Sequence, residues 1–312
     1  MRRLVLIAWL TAALVASCGP DRRSSSGRGA GGGDGAGEGE GEEGEGEERD
    51  GEESEGEGEG EGEGEGECEG EGEGEGEGGG EAGMHERTTD IGGVERAYTI
   101  WAPQQAIDKA GPVPLLFVYH GGGDSAANIL SVTGATDAAS LRGWIVAAPQ
   151  GDQGQWFTSE GEGWAKGDGQ ADSMLNDAAL TTHIFEEIRA EYSVDTDKVY
   201  AVGYSRGGAM VVLLATGSGN PNLFGGVWRS FFKAYGVSAG YDPVSGNQGY
   251  AVATPKAPMI VHHGTGDRVV DLARAQAMVT GLEGAGWTVE FTTHDGGHIW
   301  FFDTPTLLSG WE

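Results

Sequence analysis

The sequence predicts an α/β protein, with a mostly parallel sheet covered by helices on both faces and a disordered acidic tail in front of it. Two observations carry this prediction. Short, continuous apolar runs alternate with longer helical patterns through the C-terminal part of the chain, which is typical of strands buried on both faces. Before them lies a long run of glycine–glutamate dipeptides that has no apolar face to bury.

The net charge of the 312-residue chain, −31, is distributed unevenly. Residues 1–83 hold 25 of the 50 acidic and 6 of the 19 basic residues, which leaves residues 84–312 with a net charge of −12. The segment 84–312 is long enough for one α/β domain with a sizeable core. Neither part has the basic surplus of a nucleic-acid-binding protein, so we expect no nucleic-acid partner.

Residues 1–17 are predicted to be an export signal. Two arginines precede an apolar run over residues 4–15, which is short for a membrane span. Small residues then precede Cys18, in a pattern that resembles the lipobox of bacterial lipoproteins. The resemblance implies cleavage before Cys18 and a lipid anchor on its thiol, with an outer-membrane site favoured because Gly19 follows it. The alternative is an ordinary signal peptide and a secreted protein.

Residues 18–83 are predicted to be a disordered linker. Dense like charge and glycine favour an extended, self-repelling chain, which would hold the domain at 84–312 away from a membrane surface. The second of the two cysteines, Cys68, lies in this linker. The domain therefore has no internal disulfide, and Cys68 either pairs between molecules or is incidental.

The order of elements in the domain follows from periodicity. Apolar runs predict strands at 97–101, 115–119, 144–148, 199–202, 235–238, 259–262 and 288–292. Helical patterns occur at 125–141, 173–192, 206–215 and 270–285. Functional groups of such sheets lie beyond the carboxyl ends of the strands, and the motifs below follow those ends.

The segment Gly203-Tyr204-Ser205-Arg206-Gly207 lies between a predicted strand and a predicted helix. A sharp turn in this setting exposes the serine hydroxyl above the sheet, and the two glycines leave room where strand and helix crowd together. We therefore interpret Ser205 as a nucleophile. The amide of Arg206, at the start of the helix, is a candidate donor to a developing oxyanion.

A serine nucleophile needs a base and an acid that orients the base, and on such a turn they follow the serine in the order acid, then histidine. Asp267 comes just after a predicted strand, in a glycine-rich loop, and His298 follows a Gly-Gly pair. Asp271 is the rival acid, but it lies where the next helix begins. His294 is the rival base, at the end of the preceding strand.

A second glycine loop, His120-Gly121-Gly122-Gly123, follows the predicted strand at 115–119. Tandem glycines allow backbone amides to face a site without obstruction, as in the loops that give esterases and lipases an oxyanion donor. Phosphate binding is the weaker alternative, because the loop lacks the lysine of a Walker motif and the spacing of a dinucleotide fingerprint.

Together these motifs resemble the α/β-hydrolase fold, and within it the group of polyhydroxybutyrate depolymerases and feruloyl or acetylxylan esterases, close to carbohydrate esterase family 1. The resemblance covers most of residues 92–302. The matching segments are 96–103, 120–122, 148–151, 192–200, 203–210, 263–267 and 297–300.

The resemblance implies a serine esterase that needs no metal or organic cofactor and whose partner is a small or polymeric ester. It assigns Ser205 as the nucleophile, Asp267 as the acid and His298 as the base. The amides of Gly122 and Arg206 would form the oxyanion hole.

Substrate contacts are expected from aromatic and polar residues near these motifs. The loop aromatics Phe157 and Trp164 are further candidates, and the alternative is that they anchor their loop. The expected contacts are His120, Trp156, Tyr204 and Trp300. The aromatic segment 217–233 forms either core or a cap over the site. A serine peptidase and a non-catalytic carbohydrate-binding protein remain the alternative functions.

Overall fold

The structure, a computed structural model, describes residues 79–156, 170–221, 223–244 and 249–312. The strands are β1 Gly83–Ile91, β2 Val94–Ala102, β3 Val113–Tyr119, β4 Ile145–Pro149, β5 Val194–Tyr204, β6 Ala234–Ser238, β7 Met259–Gly264 and β8 Val289–His294. The helices are α1 Gln104–Ile107, α2 Ala126–Thr133, α3 Ala135–Arg142, α4 Gln170–Glu191, α5 Arg206–Gly217, α6 Leu272–Gly284 and α7 Thr304–Trp311. A short 3-10 turn covers Phe224–Gly226.

The eight strands form a single sheet in the order β1-β2-β4-β3-β5-β6-β7-β8. The pairs β1–β2 and β2–β4 are antiparallel, and every later pair in this order is parallel. The carboxyl ends of β3, β5, β6, β7 and β8 therefore meet at one edge of the sheet, where the loops that carry the predicted site residues begin. The predicted α/β architecture with a mostly parallel sheet is confirmed.

The core lies on both faces of this sheet, because successive side chains of a strand point to opposite faces. On β3, Leu115, Phe117 and Tyr119 belong to one cluster with residues of α4, α5 and α6, whereas Leu116 and Val118 belong to a second cluster with residues of α2, α3 and α7. All seven residues of β3 are buried, as its continuous apolar sequence predicts.

The aromatic segment after α5 belongs to the core. Phe231 stacks on Phe185 of α4 with ring centroids 4.0 Å apart, and Trp228 and Phe232 are buried among the same cluster. The Trp228 indole nitrogen donates to the carbonyl of Leu214, which ties the segment to α5. The core interpretation of this segment is therefore confirmed, and the described part of it forms no cap.

A buried ion pair joins the sheet to α4. Arg96 on β2 and Asp177 on α4 are 2.6 Å apart, and their side chains are 2% and 1% exposed. The same guanidinium donates to the backbone carbonyl of Gln150, just beyond β4. Because both charges lie in the interior, each stabilises the other.

Several elements differ from the sequence-based prediction. The edge strand β1 was not predicted, and neither were the helices α1 and α7. The helix predicted over 125–141 is two helices, since Gly134 between them has φ +59°, a left-handed conformation that ends α2. The predicted signal peptide, the lipidation site Cys18, Cys68 and the linker up to residue 78 lie outside the described residues. Within the described ranges, no helix combines the length and the apolar character that crossing a membrane requires.

Candidate active site

Ser205 occupies the turn between β5 and α5 with φ +55° and ψ −118°, a strained backbone conformation for a residue with a side chain. Its amide donates to the carbonyl of Ser238, at the end of β6, over 2.9 Å. A Cβ at Gly203 would collide with the carbonyl oxygen of Gly207, and a Cβ at Gly207 would collide with that of Tyr119. The prediction that these two glycines allow strand and helix to approach closely is confirmed.

His298 lies between Ser205 and Asp267. Its Nε2 is 2.7 Å from Ser205 Oγ, and its Nδ1 is 2.7 Å from Asp267 Oδ2. A carboxylate only accepts, so Nδ1 carries the ring proton and Nε2 is free to accept from the serine hydroxyl. The structure thus brings together three side chains from three different loops in the arrangement of a general base between a hydroxyl and an acid.

The Asp267 carboxylate is enclosed, with no side-chain surface exposed. Its Oδ1 accepts hydrogen bonds from the amides of Val269 and Val270 at 2.8 and 2.9 Å. Burial by itself raises the pKa of Asp267. The hydrogen bond from His298 and those from the two amides outweigh this effect, so the pKa lies below its ordinary value. The carboxyl is therefore ionised at neutral pH and can hold the imidazole in place.

The rival acid, Asp271, has a different role. Its side chain accepts from the amide of Ala273 and caps the N-terminus of α6, as its position in the helix pattern predicted. The rival base, His294, stacks on Phe301. The ring centroids are 3.8 Å apart, and the planes of the two rings differ by 1°. Neither residue contacts Ser205 or His298 through a described hydrogen bond.

A histidine at the end of a strand, where the sequence predicts packing or hydrogen bonding and not chemistry, supports the acid. His263 is fully buried at the end of β7, and its Nε2 lies 2.9 Å from the carbonyl of Val270 and 3.4 Å from Asp267 Oδ2. Its Nε2 proton therefore stabilises the turn that also supplies an amide to Asp267. The signal that could have identified it is its position four residues before Asp267 on the same strand-to-loop turn.

The loop that carries His298 is fixed by two hydroxyl groups. The Tyr204 hydroxyl donates to the backbone carbonyl of His298 over 2.7 Å, and its ring lies 5.1 Å from the imidazole. Ser238 Oγ donates to the carbonyl of Ile299 and accepts from the amide of Phe301. These contacts set the position of the imidazole from both sides of the loop.

The glycine loop after β3 lies against the nucleophile, since a Cβ at Gly121 would be 3.6 Å from Ser205 Cβ. His120 Nδ1 is 2.7 Å from the carbonyl oxygen of Gly121, while its Nε2 accepts from the amide of Gly151 over 2.9 Å. Because a peptide is planar and trans, fixing the carbonyl of Gly121 towards the buried ring turns the amide of Gly122 the opposite way.

His120 is neutral in this position. Burial lowers its pKa, and the amide of Gly151 can only donate to an unprotonated Nε2. The ring is 0% exposed, and Trp156, at 1%, donates from its indole to the carbonyl of His120. Both side chains are therefore supports beneath the glycine loop, which corrects the expectation that they contact the substrate.

The other two predicted substrate contacts, Tyr204 and Trp300, have different surroundings. Tyr204 lies beside His298, whereas Trp300 is partly buried and packs edge-on against Phe302. Trp300 therefore anchors the loop, and its contact with the substrate stays a prediction. Phe157 and Trp164 lie outside the described residues. In the described ranges, no group of three or more His, Cys, Asp or Glu side chains could hold a metal ion.

The sheet, the strained serine turn and the loops at its edge define an α/β-hydrolase. The chain belongs to the FSH1 serine hydrolase family, whose sequence pattern matches residues 124–300, more than half of its length. It is accordingly a hydrolase.

Two relatives are similar in sequence over part of their length. The protein NocK of Nocardia uniformis subsp. tsuyamanensis is 32% identical over 141 residues, covering 45% of this chain and 39% of NocK. Feruloyl esterase D of Neurospora crassa is 24% identical over 202 residues, covering 61% of this chain and 60% of that protein. The chain therefore spans less than two thirds of either relative.

Among solved structures, a ferulic acid esterase superposes with a TM-score of 0.53 at 17% identity. The superposition covers 73% of this chain and 96% of that one. At this level of identity the similarity shows the fold.

Proposed function

We propose that this chain is a serine esterase in which Ser205 attacks the carbonyl carbon of a carboxylic ester. The observation that carries the proposal is the continuous path from Asp267 through His298 to Ser205 Oγ, with both hydrogen bonds at 2.7 Å. His298 takes the hydroxyl proton as the Oγ–carbon bond forms, and Asp267 stabilises the imidazolium.

The negative charge that develops on the ester oxygen is received by the amides of Gly122 and Arg206. The hydrogen bond from His120 to Gly121 supports this assignment, because it turns the Gly122 amide away from the buried ring. Arg206 is the first residue of α5, where backbone amides have no partner inside the helix. Fixed donors of this kind stabilise the tetrahedral intermediate without reorganisation during the reaction.

The intermediate then collapses, and the leaving alcohol takes the proton from His298. Water enters in place of the alcohol, gives a proton to His298 and attacks the acyl-enzyme. The acid is released and Ser205 recovers its proton. No step requires a metal or an organic cofactor.

The substrates we propose are esters of polysaccharide-linked acyl or hydroxycinnamoyl groups, or polyester chains. Three exposed apolar side chains on the histidine and acid loops support a substrate with an extended apolar part. They are Val269, Ile299 and Phe301, at 69%, 47% and 44% exposure. The sequence similarity to feruloyl esterase D supports the same substrate class.

We propose further that the protein is exported and anchored by a lipid on Cys18, with residues 18–83 as a tether. The support is the order of basic, apolar and small residues before Cys18. Metabolic labelling with an alkyne fatty acid in a bacterial host tests this. We expect label on the full chain and none on Cys18→Ala. Equal labelling of both would contradict the anchor.

The ester activity is tested on the full chain, solubilised in detergent, with 4-nitrophenyl esters, methyl ferulate and aminoacyl nitroanilides. We expect the esters to be cleaved, and the Ser205→Ala variant to lose on the order of 10⁴-fold in turnover while keeping its melting temperature. Faster cleavage of the anilides would favour a peptidase instead. Absence of all turnover in a folded sample would favour a carbohydrate-binding protein.

A further inference from the structure

The Arg206 side chain extends from the start of α5 to the glycine loop. Its Nη1 donates to Gln155 Oε1 over 2.5 Å. The Nε lies so close to the loop that a Cβ at Gly122 would be only 3.2 Å from it. The guanidinium therefore lies against the residue whose amide is proposed to receive the oxyanion, one residue along the chain from Ser205.

This guanidinium has a neutral partner in the part of the chain that the structure describes. The ion pairs found there do not include Arg206, and its described partner is the uncharged amide of Gln155. The carboxylate of Asp124, in the same glycine loop, accepts instead from the amide of Ser125. A guanidinium has five donors in a planar fork that matches a carboxylate, and the contacts of Arg206 with the described residues use one of them.

The geometry indicates which part of an ester would reach this cation. The leaving oxygen must face His298, which protonates it, whereas Arg206 contacts Gly122 on the side of the oxyanion hole. A group near the guanidinium therefore belongs to the acyl part and not to the alcohol. The partial burial of Arg206 weakens competition from water and salt for the same donors.

We infer that Arg206 is a specificity-determining residue that binds a carboxylate at the far end of the acyl chain. The enzyme then prefers half-esters of dicarboxylic acids to neutral esters of the same length. This inference rests on the proposed ester hydrolysis and names a substrate class for the same site.

The test compares two acyl chains of equal length on the full chain, 4-nitrophenyl hydrogen adipate and 4-nitrophenyl hexanoate, with spontaneous hydrolysis subtracted. The measured quantity is the ratio of their kcat/KM values. A second pair, 4-carboxyphenyl acetate and 4-carbamoylphenyl acetate, moves the carboxylate to the alcohol.

Three variants isolate the charge. Arg206→Gln removes it, and Gln155→Glu neutralises it in place while leaving the arginine. Arg229→Gln is the matched control, since Arg229 lies beyond the other end of α5, about 18 Å along a twelve-residue helix. We expect the adipate-to-hexanoate ratio to fall about 10- to 100-fold in Arg206→Gln and Gln155→Glu, the range for losing a hydrogen bond to a charged group. Arg229→Gln should keep the wild-type ratio.

An unchanged ratio in Arg206→Gln and Gln155→Glu, with both esters still cleaved, would overturn the inference and leave the ester activity standing. Arg206-dependent discrimination confined to the alcohol pair would overturn the assignment to the acyl side. Failure of the wild-type protein to cleave any of the four esters would overturn the proposed function itself.

Discussion

His298 Nδ1 lies 2.7 Å from Asp267 Oδ2, and two backbone amides hold the other oxygen of the same carboxylate. These hydrogen bonds keep the pKa of Asp267 below its ordinary value in the folded protein. A carboxyl with a lowered folded-state pKa stabilises the fold above its unfolded pKa of about 3.9, and this contribution disappears as the pH falls through the folded value.

We therefore predict that Asp267→Asn is less stable than the wild type at pH 7 and that the gap closes at acidic pH. Urea denaturation of both proteins between pH 7 and pH 3 measures the two free energies of unfolding. The difference should be largest above about pH 5 and should narrow below about pH 4. A difference that stays constant over this range would contradict a lowered pKa for Asp267.

The hydrogen bond from His120 to the carbonyl of Gly121 makes a second prediction. Without the ring, the Gly122 amide is no longer held in its direction, so His120→Ala should lower kcat about 10- to 100-fold with a smaller change in KM. His120→Asn, whose amide can donate from near the position of Nδ1, should retain more activity. Steady-state kinetics on a neutral ester measures this. A rise in KM alone would indicate that His120 supports substrate binding and not the oxyanion hole.

The strained backbone of Ser205 can be measured through stability. Ser205→Ala and Ser205→Gly both remove the hydroxyl, but only glycine adopts φ +55° and ψ −118° without a steric cost. The strain that glycine relieves should exceed the cost of its greater freedom in the unfolded chain. We therefore expect Ser205→Gly to be more stable than Ser205→Ala by on the order of 1 kcal/mol. Chemical denaturation of the two variants decides this. Equal stability, or a more stable alanine variant, would show that the turn is not strained.

The buried pair of Arg96 and Asp177 supports the fold around the site. Arg96→Met leaves a carboxylate in the interior without its cation, so the free energy of unfolding should fall by about 3–5 kcal/mol. The control is Arg189→Met, because Arg189 pairs with Glu186 on the exposed side of α4 and should cost less than about 1 kcal/mol. Similar decreases in the free energy of unfolding in the two variants would mean that the buried pair stabilises the fold no more than the exposed pair does.

Much of the fold follows from local sequence. β3 and residues 199–203 of β5 are buried, and their continuous apolar runs therefore made both strands predictable. The strand β1 could not be predicted in this way, because its residues alternate between partly buried and exposed and its side chains are mostly polar. It is stabilised by pairing along its length with β2 and by ion pairs from Arg87 to two glutamates of α4. Such long-range partners leave no local pattern.

Local sequence likewise predicts some residues of the site and not others. Ser205, Asp267 and His298 each follow a strand end in a glycine-containing loop, so their order and spacing predicted their proximity. The functions of His120 and His263 could not be predicted from spacing alone. Each ring is fixed by a backbone group that comes close only after folding, the amide of Gly151 for His120 and the carbonyl of Val270 for His263.

The central claim, that Ser205 is an activated nucleophile, is tested most directly by covalent labelling. The full chain is treated with a fluorophosphonate probe, and the modified residue is identified by peptide mass mapping. We predict a single adduct on Ser205, lost in Ser205→Ala and strongly slowed in His298→Ala, because both bonds of the relay are needed to remove the hydroxyl proton. A folded, ester-cleaving sample in which Ser205 stays unmodified, or in which another serine carries the adduct, would contradict the account.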